Sequence, residues 1–276
     1  MTLGPVRPYV AIVSARFRML LQYRAAAIAG LWTQIVFGLV ILGIFEAFFR
    51  STTRAHPMTF AQIVSYVWLG QALLGMLPWN ADAEVRAMVR SGAVAYELCR
   101  PVDLYGLWYA RALAWRTAPT VLRAVPMCAI AAIGLPLIGL DEWRLAAPPS
   151  VASAVAFAST LAGTLLLGCA LTTLINITLL WTISGEGIVI LMTTLVTFLS
   201  GMIVPLPLFP DWAKPIVQAL PFAGLVDFPF RAYTGHIPPQ ATVWVVQHQL
   251  LWTAALVILG RWLLSRGLRR VVVQGG

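Results

Sequence analysis

Few side chains in this sequence could carry chemistry, and they stand too far apart to act together. Gln34, Glu46, Gln71, Asn176, Glu186 and His248 are the notable polar residues of its long apolar runs. Isolated amides such as Gln34 and Asn176 suit hydrogen bonds that tie helices together. Glu46 and Glu186 fall at the ends of apolar runs, where solvation accounts for them, and His248 lies between Gln247 and Gln249 near another end. A proton-coupled carrier needs ionisable groups strung across the bilayer, and no such chain is present. There is no GxxxxGK[ST], and the only lysine, Lys214, sits between Ala213 and Pro215, so the sequence holds no phosphate-binding loop. HExxH is absent. Ser184 and Ser200 precede glycines, but no GxSxG encloses them and nothing pairs them with His236 or His248. Cys99, Cys128 and Cys169 are widely spaced, with no CxxC, and read as small packing residues. The residue types speak against an enzyme.

Two other patterns speak for binding. Asp82, Arg86 and Arg90 recur at i, i+4, which supports a helix through ion pairing. Val85, Met88 and Val89 give that helix a narrow apolar face, and Gly92 suits its C-terminal cap. The chain continues Tyr96-Glu97-Leu98-Cys99-Arg100-Pro101-Val102-Asp103. Such a helix is either a solvated face or a docking surface. The second pattern is residues 205–240, with eight prolines and with Trp212, Phe222, Phe228, Phe230 and Tyr233. It is too apolar for a free loop and too broken for a spanning helix. Short re-entrant or interfacial helices are the physical solution, because backbone at membrane depth must be covered by protein.

The elements that position these segments are membrane helices. The 276 residues are 60% hydrophobic and 11% charged, with a mean hydropathy of +0.83, whereas soluble domains carry about 25% charged residues. The run from Pro149 to Met202 carries one charge, Glu186. As one helix it would be roughly 80 Å long, far beyond a hydrocarbon core of about 30 Å. It must fold back, and Ser184-Gly185-Glu186-Gly187 is the turn. Spans are expected at about 26–49, 60–79, 118–139, 151–182, 187–204 and 243–264. Arg123 and three prolines fall in the third, where the arginine can snorkel from the cytoplasmic end. Residues 3–24 are amphipathic, with Val10, Val13, Phe17, Leu20 and Leu21 on one face, so 1–25 is read as an interface helix. The apolar run after it is too long for a signal peptide.

Six spans place both termini on one side. With that side inside, fourteen of the 19 basic residues are cytoplasmic and five are outside, as the positive-inside rule requires. The net charge of +9 is thus a topology signal, not a sign of nucleic-acid binding. All but one of the basic residues are arginines, which with abundant Ala, Gly and Pro points to a GC-rich bacterial gene. The expectation is a single all-α integral membrane domain.

Two stretches resemble a known family. Arg90-Ser91-Gly92, Tyr96-Glu97-Leu98 and Arg100-Pro101-Val102-Asp103 are similar to the cytoplasmic loop of ABC-2 type permeases of the viologen/daunorubicin-resistance type. Ser200-Gly201-Met202 through Pro205, Phe209-Pro210, Trp212, Leu220-Pro221, Arg231 and Gly235 resemble the region that closes those permeases after the fifth span. The resemblance implies the transmembrane subunit of an ATP-driven exporter in the bacterial cytoplasmic membrane. Its partners would be separate cytoplasmic ATPase subunits, which hold ATP and Mg, and a second permease, identical or homologous, within membrane lipid. It implies no cofactor in this chain. The loop 80–117 would be the coupling segment, with Val85, Arg86, Met88, Val89, Arg90, Glu97 and Arg100 meeting the ATPase. Trp68 and Gln71 of the second span, and Thr193, Thr194 and Thr197 of the fifth, would line the path. Pro205, Phe209, Pro210, Trp212 and Pro221 would form an extracellular gate within 205–240. A path walled by Leu, Met, Thr and Trp suits an amphipathic or lipophilic substrate.

Overall fold

The computed structural model describes residues 6–52, 56–182 and 185–269, and all its regular structure is helical. Residues 1–5, Arg54, Ser184 and the end of the chain from Arg270, all read above, lie outside the described residues.

Helix α1 (Arg7–Leu20) has Pro8 in its first turn and no fully buried residue, as befits a helix lying on a surface. Helix α2 (Arg24–Ser51) follows after a short break. Its residues Ile28, Trp32, Val36, Val40, Ile44 and Phe48 are all exposed. Recurring every fourth position, they form an apolar stripe that winds about half-way round the helix. Helix α3 (Phe60–Ala72) opens with a capping box, in which the Gln62 N–H donates to Thr59 Oγ1 and the Thr59 N–H to Gln62 Oε1. It is buried without interruption from Ile63 to Ala72. The span expected over 60–79 stops there, because the chain tightens into a 3₁₀ turn at Leu74–Met76 ahead of Pro78. A Cβ on Gly75 would stand 2.6 Å from Thr120 Oγ1, so the turn lies hard against α6.

Helices α4 (Ala83–Ser91) and α5 (Val94–Leu98) are short and separated by Gly92, whose φ of +74° supplies the left-handed cap. Helix α6 (Leu104–Ala129) then begins at an Asp103 cap. This corrects the third span, expected over 118–139: the helix already starts at Leu104, so the segment read as an 80–117 loop ends near Asp103. Pro119 and Pro126 lie inside α6, and the helix passes through a π turn at Ile130–Gly134 into a last turn at Leu135–Leu137. The prolines do not break it. Proline forfeits one ladder bond, but in an apolar surrounding every alternative backbone path forfeits more.

Helix α7 (Val151–Thr178), capped by Ser150, and helix α11 (Thr242–Leu268) pack along each other and form the spine of the molecule. Between them, helix α8 (Glu186–Leu199) starts after Gly185 at φ +68°, where the turn was expected. Helices α9 (Lys214–Ala219) and α10 (Asp227–Tyr233) are the longer pieces of a segment otherwise made of 3₁₀ turns. Among the described residues four stretches are long and apolar enough to cross a membrane: Ala27–Ser51, Leu104–Leu137, Val151–Thr178 and Pro239–Leu268. Helices α3 and α8, with 13 and 14 residues, are shorter.

Among the described residues two large apolar clusters share the interior, and a third, small one gathers Leu206, Val217 and Ala223. The larger surrounds Trp68 and gathers α2, α3, α6 and α7 with the 221–233 segment. The smaller gathers Val85 and Val94 with Leu104, Trp108, Ile175 and Leu264, at the end of the bundle where α6 begins and α7 and α11 finish. The bundle thus has a platform at one end, built by α4 and α5, and a cap of broken helices at the other.

Candidate functional site: a platform, a helix face and a cap

The platform is bolted down by charges. Asp82 caps α4, its Oδ1 accepting from the Glu84 N–H at 2.9 Å. Arg16 of α1 reaches across to Asp82 Oδ2 at 3.0 Å and to Glu84 Oε2 at 2.8 Å. The Asp82 N–H donates to Asn176 Oδ1 at the end of α7, 2.9 Å away. The ion pairing expected along α4 from Asp82 to Arg86 is therefore corrected: Arg16 takes the Asp82 carboxylate. Glu97 is likewise an internal anchor. It is buried, with Oε1 2.7 Å from Arg111 and Oε2 accepting from Trp108 Nε1 at 2.8 Å.

These bolts decide which residues of the expected coupling set remain free. Val85 is wholly buried in the chain's own core, and Met88 and Val89 pack partly against it. Arg86 is half-buried, while Arg90 and Arg100 are exposed. Two residues absent from that set stand out instead: Tyr96, 78% exposed, and Leu98, 49% exposed. A five-residue helix turns less than one and a half times, so its sequence pattern could not say that Glu97 points in while its neighbours point out.

The residues expected along a path divide in the same manner. Trp68 is fully buried, its Nε1 donating to the Trp143 carbonyl at 2.7 Å. Gly38 of α2 lies so close that a Cβ there would meet the Trp68 ring at 2.7 Å. Gln71 is also buried. On α8 the Thr193 hydroxyl donates to the carbonyls of Trp79 (2.7 Å) and Val189 (2.8 Å). Thr194 and Thr197 donate to carbonyls one turn earlier, Ile190 and Thr193. Gly187, Ile190, Leu191, Thr194 and Phe198 are exposed along one side of α8. That stripe is the helix's open face, and only Thr194 of the expected path residues belongs to it.

The cap is organised by a group the sequence reading did not single out. Asp227, fully buried, receives the Leu206 N–H on Oδ1 at 2.9 Å and the Tyr66 hydroxyl at 3.3 Å. Its Oδ2 is 3.0 Å from Arg231 NH1. Its own N–H donates to the Ser200 carbonyl at 3.0 Å, and Tyr66 donates also to Gly201 O at 2.9 Å. Gly201 is at φ +87°, with Tyr66 so close that a Cβ would stand 2.5 Å from its hydroxyl. Burial pushes the Asp227 carboxyl above the ordinary range, while Arg231 and the hydrogen bonds from Leu206 and Tyr66 pull it down. One residue thereby joins α3, the turn at Leu206–Leu208 and α10 through its carboxylate and the exit of α8 through its N–H. Its only sequence signal is the Asp-x-x-x-Arg spacing. A second knot holds Gly224, whose carbonyl accepts from Thr164 Oγ1 of α7 (3.1 Å) and Gln249 Nε2 of α11 (2.7 Å). Of the expected gate residues, Pro205 and Pro221 are buried, Phe209 is half-buried, Pro210 is exposed, and Trp212 is 75% exposed.

No group of three or more His, Cys, Asp or Glu among the described residues is placed to hold a metal ion. A family profile described as ABC-2 family transporter protein matches residues 34–275, from about the third turn of α2 to the penultimate residue. The chain belongs to the ABC-2 transporter family. Neither a curated protein nor a solved structure matches it. Within this ABC-2 permease the match takes in the α4–α5 platform, α8 and the whole cap of broken helices. Helix α1 and the first turns of α2 precede the matched residues.

Proposed function

We propose that this chain is the permease subunit of an ATP-driven exporter that carries an amphipathic or lipophilic substrate, and that it pairs with a second permease copy or homologue. The family match over residues 34–275 carries the reading. Helices α3 and α8 would complete six spans, with local thinning of the bilayer beside α8, since 14 residues extend only about 21 Å. The α4–α5 platform would face the cytoplasm, meeting a separate ATPase through Tyr96, Leu98, Arg90 and Arg100, with Arg86, Met88 and Val89 at its edge. The open face of α8 would meet the second subunit and wall the path between them, and the short outer helices would close it as a re-entrant gate. ATP would move substrate by binding one conformational state of the assembly more tightly than the other.

Co-purification of the tagged chain from its own host tests this. An ATPase subunit should accompany it, and hydrolysis should appear only when that subunit is present. ATP turnover by the isolated, contaminant-free chain would overturn the proposal, because it holds no phosphate-binding loop.

A further inference from the structure

A groove of about 680 Å³ runs between α1, α6 and α11. Its walls are apolar: Val10, Val13 and Phe17 from α1, Tyr109 and Leu113 from α6, and Val257 from α11. At its rim stand Arg18, Asp103 and Arg261. Asp103 ties the three helices together there. Its Oδ2 accepts from the Gly106 N–H at 2.8 Å and from Arg261 NH2 at 3.0 Å, while its own N–H donates to the Tyr9 hydroxyl at 3.2 Å. A Cβ on Gly106 would meet the Tyr9 ring at 2.8 Å, so the close seating of α1 on α6 depends on that glycine.

Two of the three walls are helices long and apolar enough to cross a membrane, and the groove lies at the end of both, where charged residues begin. The third wall is an amphipathic helix of the kind that lies in the headgroup layer. An open apolar slot in that position is in contact with acyl chains, and arginines beside it stand at headgroup depth, where basic pockets between membrane helices hold lipid phosphates. Arg18 is exposed and Arg261 is 55% exposed despite its pairing with Asp103, so both guanidinium groups can reach a phosphate. We propose that this groove is a binding site for one membrane phospholipid, its acyl chain along Val13, Phe17 and Leu113 and its phosphate between Arg18 and Arg261. The lipid would fasten α1 to the bundle, complementing the polar tether through Arg16.

The full chain, purified in detergent and stripped of lipid, is incubated with phosphatidylglycerol or with the diacylglycerol of the same chains and read by native mass spectrometry. Wild type should bind one phosphatidylglycerol and far less diacylglycerol. Leu113→Trp and Val13→Trp, which fill the slot from opposite walls, should each abolish binding; if one variant fails to fold, the other decides. Arg18→Ala with Arg261→Ala should weaken phosphatidylglycerol binding by roughly tenfold or more and leave the diacylglycerol signal unchanged, as expected for two lost arginine–phosphate contacts. Equal binding of both lipids by wild type would overturn the proposal, as would undiminished phosphatidylglycerol binding by a folded slot-filling variant. A concentration-dependent dimer abolished by the same variants would show instead that a second copy occupies the groove.

Discussion

Removing one partner of a buried ion pair leaves the other charge without compensation, which typically costs about 3–5 kcal/mol. Asp227 stands to incur that cost, because four separate segments meet on its carboxylate and its N–H. Asp227→Ala should therefore lower the thermal midpoint of the detergent-solubilised chain sharply. Asp227→Asn combined with Arg231→Met should recover much of the loss, since neither charge is then stranded. Scanning fluorimetry on the three proteins gives the comparison, and equal midpoints for wild type and Asp227→Ala would remove the carboxylate from its organising role. The sequence concealed this residue for a physical reason. A carboxylate in a proline-rich stretch has the composition of an exposed turn, and only contacts with Tyr66, more than 160 positions earlier, make it interior. Glu97 was hidden in the same manner, its partner Arg111 lying on a helix whose start was expected further along.

Long apolar helices were legible at the scale of the element because twenty or more apolar residues in a row admit few alternatives. The turn before α8 and the Gly92 cap were legible too, each from glycine at a place where the chain must reverse or take a positive φ. The start of α6 was not, since Arg111 and Arg116 looked like loop charges. Both are satisfied inside the bundle: Arg116 Nε donates to Thr172 Oγ1 at 3.1 Å, and Arg111 pairs with Glu97. The platform helices carry the element-scale prediction. Tyr96→Asp and Leu98→Asp alter side chains already exposed, so the chain should fold and insert normally while its association with an ATPase weakens, anchors at packed interfaces commonly contributing about 2 kcal/mol or more. Val85→Asp should instead destabilise the chain itself, because it places a charge in the smaller core. Pull-down and thermal midpoint, measured on the same three variants, separate the two effects. Full ATPase retention by both platform variants would move the docking surface elsewhere, to α1 first.

For the whole molecule, the charge asymmetry predicts that the platform faces the cytoplasm and the cap faces outward. A cysteine-free background, with single cysteines at positions 90 and 212, tests this in intact cells with an impermeant reagent. Both native side chains there are exposed, so accessibility is a matter of side and not of burial. Position 212 should label and position 90 should not; the reverse pattern would invert the topology.

Helix α7 touches both ends of that arrangement. Near its finish, Asn176 holds the backbone of Asp82 at the root of α4. Further back along the same helix, Thr164 grips Gly224 under the cap, and the Thr160 carbonyl accepts from Gln249, the side chain that grips Gly224 from α11. A 28-residue helix is about 42 Å of stiff rod. A displacement delivered at the root of α4 would thus have a direct mechanical line to the cap: twelve residues of continuous helix, about 18 Å, run from Asn176 back to Thr164. Platform and cap are thereby fastened to one continuous helix, with no loop between the two points of attachment.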